Sequence, residues 1–385
     1  MNTYKRKPGF TIIEVLVVVS IIGLLLGIML PALGRARDTA LQSVSLSNLR
    51  QISAGLAAYA GDWNDRQPTL IPDDFCQADG ASPKERCNDY INTIHCMPQP
   101  ILGWANINEQ RSLWGYYIDN GSCNTPGIVD NIEVAMPYSP SEKSGYFRIL
   151  NHKLFAQYMN DRYYDEVFFA PKDRRKLEKV EEFFDLPDEF SSDDLGGIIE
   201  WPSYCMAASA MIAPDAASGK YCDGGGGSTN DMPDRMCNPC DFPGGFRSPS
   251  VGAAAYPDLK MRCWEHEWLQ NNPAELNPAF TTETPYYFNH SPQSAPVSLM
   301  FDGSVRIFSA NEAILSNDRL ARQLDRSGTT YQDGVGDRRP GLLWMRDWTG
   351  EDYFEAGSHG FEEEWTSFGV LTRGGIKGRD TIGME

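Results

Sequence analysis

The feature that most constrains this chain is the hydrophobic run from Phe10 to Leu33, broken by one charged residue, Glu14. As an α-helix the run would extend about 36 Å at about 1.5 Å per residue. That exceeds the roughly 30 Å hydrocarbon core of a bilayer. The segment is therefore read as a membrane-spanning helix rather than the core helix of a soluble domain. Residues 1–9 carry Lys5, Arg6 and Lys7, whereas only Arg35 and Arg37 closely follow the run, with Asp38 beside them. This basic bias places the amino terminus in the cytoplasm and the bulk of the chain on the far side of the membrane. No small-residue cleavage site closes the run, so the apolar segment is expected to be retained after processing.

Glu14 needs an explanation, because a carboxylate inside such a segment costs several kcal/mol unless protonated or paired. Two readings stand. The side chain can reach the headgroups from near the helix end. Alternatively, a cut between Gly9 and Phe10 would create an amino group four positions away, and the same amine on a neighbouring subunit could neutralise Glu14. Gly23 and Gly27 form a small-xxx-small pattern that permits close helix approach. Pro31 removes a backbone donor and should kink or loosen the helix there. Beyond it, Leu46, Leu49, Ile52, Leu56, Tyr59 and Trp63 recur at three- and four-residue steps. This predicts an amphipathic continuation that ends near residue 62, before the turn-rich GDWNDRQP.

The stretch KPGFTIIEVLVVVSIIGLLLGIMLPAL resembles the leader and N-terminal segment of type IV prepilins and type II secretion pseudopilins. The resemblance implies that a prepilin peptidase cuts after Gly9 and methylates the exposed amine of Phe10. It further implies that Glu14 pairs with the amino terminus of an adjacent subunit during assembly, and that the helix can unwind locally near Pro31 within a filament. The segments NLRQISAGLAAYAGDWNDRQP, FNHSPQSAPVSLMFDGSVRIF and FGVLTRGGIKGRDT resemble planctomycete-type prepilin proteins with a His-then-Asp-Gly processing-associated motif. Here His290 is followed by Asp302 and Gly303 at a longer spacing than that group shows.

The remaining chain, residues 67–385, is punctuated by Pro, Gly, Asn and Asp, with short apolar runs and no second long amphipathic helix. Short helices are expected within 150–186, around the apolar run Val167–Ala170. Two strands, Ala295–Phe301 and Ser304–Ser309, should pair antiparallel across Asp302-Gly303. Nine cysteines in a chain outside the cytoplasm imply up to four disulfides and at least one remaining thiol. The single Cys237/Cys240 pair and the Glu265-His266-Glu267 triplet are weak metal candidates, so no metal site is assigned. Calcium at acidic glycine-rich loops such as Asp333–Asp337 is the one cofactor to consider, although no EF-hand pattern appears. A net charge of −18 disfavours nucleic acid as a partner. Nucleophile-elbow, zinc-helix and phosphate-loop signatures are absent, and no enzyme is expected.

The expected fold is α+β: a long N-terminal helix, half membrane-embedded and half amphipathic, packed on an antiparallel β-sheet head with long irregular loops. The expected organisation is a leader at 1–9, an assembly helix at 10–33, its amphipathic continuation at 34–66 and an extracytoplasmic head at 67–385. The expected function is that of a structural pilin or pseudopilin subunit in the cytoplasmic membrane. Its partners would be the prepilin peptidase, sister subunits and the inner-membrane assembly machinery. A surface-displayed binding module and, further off, a membrane-tethered hydrolase are the alternatives.

Overall fold

The computed structural model describes residues 11–69, 99–107, 110–117, 131–134, 150–185, 202–217, 244–245, 247–265, 295–309, 372–382 and a few positions between 312 and 343. Gly9, Phe10, His290, the Cys237/Cys240 pair and the loop Asp333–Asp337 lie outside them. The chain forms two compact units, Met1–Val44 and Ser45–Glu385. The division falls inside the first helix rather than at its end.

Helix α1, Ile12–Asp62, is 51 residues long and runs without interruption through Pro31. In the first unit its apolar side chains are exposed all round, from Ile12 through Leu24 to Leu33. It is the one helix among the described residues that is long and apolar enough to cross a membrane. Its Ser20 hydroxyl is satisfied locally, since Oγ donates to the carbonyl of Leu16 at 2.8 Å. That bond removes the cost of an unpaired polar group in lipid.

In the second unit the helix becomes a core element. Leu49, Ile52 and Leu56 are fully buried, Tyr59 and Ala60 nearly so, and Leu46 packs against the same cluster half-buried. Trp63, which the heptad-like stripe also includes, is instead partly exposed. It stacks on Tyr59 at 5.6 Å, and its indole N–H donates to the Tyr158 hydroxyl at 3.1 Å. Gly55 lets the segment around Phe155 and Met159 approach the helix backbone. A Cβ there would collide with Met159 Sδ and lie 3.2 Å from the Phe155 ring. The helix ends where Asn64 and Asp65 both adopt left-handed backbone conformations, and Asp65 N–H donates back to Ala60 at 2.7 Å.

A four-stranded antiparallel sheet supplies the facing layer, in the order β4 (Tyr204–Met206), β5 (Met261–Glu265), β6 (Val297–Met300), β7 (Val305–Ile307). Strands β4, β5 and β6 are buried along their whole lengths, and the core gathers Trp264, Tyr204, Phe155, Phe168 and Phe169. The β6–β7 hairpin is the pair read from the sequence. Gly303 at its turn has φ 84°, and Asp302 Oδ1 accepts from the Ser304 N–H at 2.8 Å, which is the Asx chemistry that favours Asp-Gly. Short helices at Lys153–Ala156 and Arg174–Val180, with a 3₁₀ turn at Glu166–Phe168, fill the 150–186 region.

A second sheet was not anticipated. It has the order β1 (Gln99–Ile107), β2 (Gln110–Tyr117), β3 (Asn131–Val134), with β1 antiparallel to β2 but β3 parallel to it. The head is therefore not wholly antiparallel. Glycine, proline and polar interruptions through residues 70–130 mask the alternation that would have announced these strands.

Candidate functional site

Helix α1 begins with a reciprocal cap. Thr11 N–H donates to Glu14 Oε2 at 2.8 Å, and the Thr11 hydroxyl donates to the same oxygen at 2.7 Å. The Glu14 N–H lies 3.3 Å from Thr11 Oγ1 in return. This is a capping box, with Thr as N-cap and Glu at the third helical position, and it satisfies donors that a helix N-terminus would otherwise leave unpaired. The Thr-x-x-Glu spacing before an apolar run was legible in the sequence, and the sequence reading passed over it. Among the described residues only Oε2 is engaged, so the cap orients the carboxylate and leaves Oε1 without a described donor. On the same helix, a Cβ added at Gly23 or Gly27 would meet no atom within 4 Å. The small-residue face is thus uncovered by any described residue.

Within the second unit, a buried polar cluster fixes the helix to the sheet. Ser45 Oγ donates to Glu265 Oε1 and lies 3.1 Å from the Tyr204 hydroxyl, while Glu265 Oε2 accepts the Val297 N–H at 2.9 Å. Asn48 Nδ2 lies 3.3 Å from the Phe169 carbonyl and 3.4 Å from the Tyr204 hydroxyl. Burial, reinforced by the Glu265 carboxylate, pushes the Tyr204 phenol well above its ordinary range, so it stays protonated. Glu265, weighed above as a metal candidate, is therefore committed to joining β5, β6 and α1. Among the described residues no three His, Cys, Asp or Glu side chains converge as a metal site. Cys263 on β5 is a free thiol, fully enclosed, and burial raises its pKa. Neither property suits a nucleophile.

A second cluster locks the C-terminal segment into the core. Lys260 and Asp380 form a fully buried ion pair at 2.9 Å, with Thr372 bonded to both. Near the end of α1, a groove of about 480 Å³ is lined by residues that include Asn64, Arg66, Pro214, Arg247 and Ser250. Asp65 accepts from the Ser250 hydroxyl and the Gly252 N–H, which together hold its carboxyl below the usual range.

The long apolar helix and the four-stranded antiparallel sheet are consistent with a pilin-like α+β fold. In agreement, residues 4–30 match the family model of the prokaryotic N-terminal methylation motif, which is typical of type IV pilins and pseudopilins. No curated protein matches the chain, and no solved structure does. The motif and the N-terminal apolar helix are consistent with single-pass anchoring in the inner membrane.

Proposed function

We propose that this chain is a structural subunit of a type II secretion-like or type IV pilus-like filament rather than an enzyme. A prepilin peptidase cuts it between Gly9 and Phe10 and methylates Phe10, and the mature helix then packs among sister helices with the head outside the cytoplasm. The observation that carries this reading is the methylation motif at residues 4–30, which runs into a helix whose apolar side chains are exposed from Ile12 to Leu33. Such a surface is stable only in lipid or against other helices. In the assembled state the Phe10 amine of a neighbour takes Glu14 Oε1 while Thr11 retains Oε2. A head of this size suits a minor or specialised subunit, because bulky heads crowd a helical lattice.

Mass spectrometry of the native amino terminus tests the proposal. The expected product begins at N-methylated Phe10. A chain that still begins at Met1 would make this a signal-anchored membrane protein instead. The groove beside Arg66 and Arg247 favours a second reading, in which the head, displayed on the filament, is also a binding module for a surface or cargo. Loss of surface or cargo binding in an Arg247→Ala subunit that still assembles would establish it.

A further inference from the structure

The Lys260–Asp380 site is built more completely than an ion pair requires. Both side chains are wholly excluded from solvent. Lys260 Nζ donates to Thr372 Oγ1 at 2.7 Å and to Asp380 Oδ2 at 2.9 Å. The Thr372 hydroxyl donates in turn to Asp380 Oδ1. The Met261 N–H donates to Oδ2 at 2.7 Å. The groups are held from several directions: Thr372 N–H donates to Ser209 Oγ at 3.0 Å, and Asp380 N–H to the Leu259 carbonyl at 2.8 Å. An amine thus faces a carboxyl group whose two oxygens have different partners. Oδ1 ends a proton path from Nζ through Oγ1, and Oδ2 sits on a backbone donor.

We propose that Lys260 and Asp380 condense to an intramolecular amide, cross-linking the residue that leads into β5 to the C-terminal segment. The inference stands apart from the filament reading and requires no cofactor. One ammonium proton passes from Nζ to Thr372 Oγ1 as the Thr372 proton passes to Oδ1, which leaves a neutral amine beside a carboxylic acid. The Nζ lone pair attacks Asp380 Cγ, and the charge that develops on Oδ2 is stabilised by the Met261 N–H, an oxyanion contact already in place. The second Nζ proton moves to the Oδ1 hydroxyl, the Cγ–Oδ1 bond breaks, and one water leaves. Nothing is oxidised or reduced. Burial shifts Lys260 downward despite the opposing Asp380 carboxylate, which favours the neutral amine that attack requires. Exclusion of solvent and fixed orientation supply the remaining advantage over the reaction in water.

The experiment is peptide mapping of the full chain, purified from membranes in detergent, unfolded and digested with trypsin. The expected product is peptide 248–262, uncleaved at Lys260, joined to peptide 380–385, with a mass one water below the sum of the two. Recovery of Lys260 and Asp380 only in separate, unmodified peptides would overturn the proposal, and this result needs no variant. In Thr372→Val, which keeps the shape but breaks the proton path, the linked fraction should fall at least tenfold. Thr372→Ser should restore it. An undiminished linked fraction in Thr372→Val would overturn the path through the hydroxyl.

Discussion

At the scale of single residues, Glu14 carries the most consequence. A lone carboxylate in an apolar helix would be an unsatisfied charge, but the Thr11 N–H and hydroxyl hold one of its oxygens. Two contributions to assembly separate by mutation. Glu14→Ala should leave leader cleavage intact, because the cut lies outside the capping box, yet abolish or severely reduce incorporation into filaments. Thr11→Val keeps the charge and removes the hydroxyl bond. Its effect on assembly should be milder, and Thr11→Ser should restore wild-type yield. Immunoblots of cell-associated and sheared filament fractions provide the measurement. Normal filament yield from Glu14→Ala would remove Glu14 from the assembly step.

At the scale of elements, α1 changes its physical role along its length. Its first half is exposed and apolar on every side, while from Ser45 onward one stripe is buried against the sheet and polar groups are paired within it. The stripe was legible because Leu49, Ile52, Leu56 and Tyr59 keep the helical period. The β6–β7 hairpin was legible because Asp302-Gly303 names its own turn. What the sequence did not announce are pairings between distant segments, such as Ser45 with Glu265 or Lys260 with Asp380. Polar residues of this kind have no periodicity, and only the fold brings them together. Gly55 belongs to the same group of features, since its value lies in what packs over it. Gly55→Ala should destabilise the head by about 1–3 kcal/mol, the usual cost of overpacking, despite the better helix propensity of alanine. Thermal unfolding of the two proteins side by side tests this. A stabilised variant would mean that Met159 and Phe155 yield freely.

At the scale of the whole molecule, the enclosed groups set how the fold responds to acid. His152 is almost fully buried beside the helix Lys153–Ala156, and burial pulls its pKa down to about 3. In the unfolded chain the same imidazole titrates near about 6.5. Between these values the unfolded state holds a proton that the native state does not, so stability must fall as pH falls through this window. The slope from one such group approaches about 1.4 kcal/mol per pH unit. Asp65 acts lower. Its carboxyl is depressed by Ser250 and Gly252, so its contribution is present above the unfolded value of about 3.9 and is lost only as pH drops through the folded one. His152 thus weakens the fold as pH falls from about 6.5 to about 4. Denaturant unfolding of the full chain in detergent, repeated across that range, should show His152→Gln with a shallower loss of stability on acidification than wild type. If the two slopes are equal, the imidazole is reaching solvent or another group is taking up the proton, and the buried, neutral state assigned to His152 is wrong.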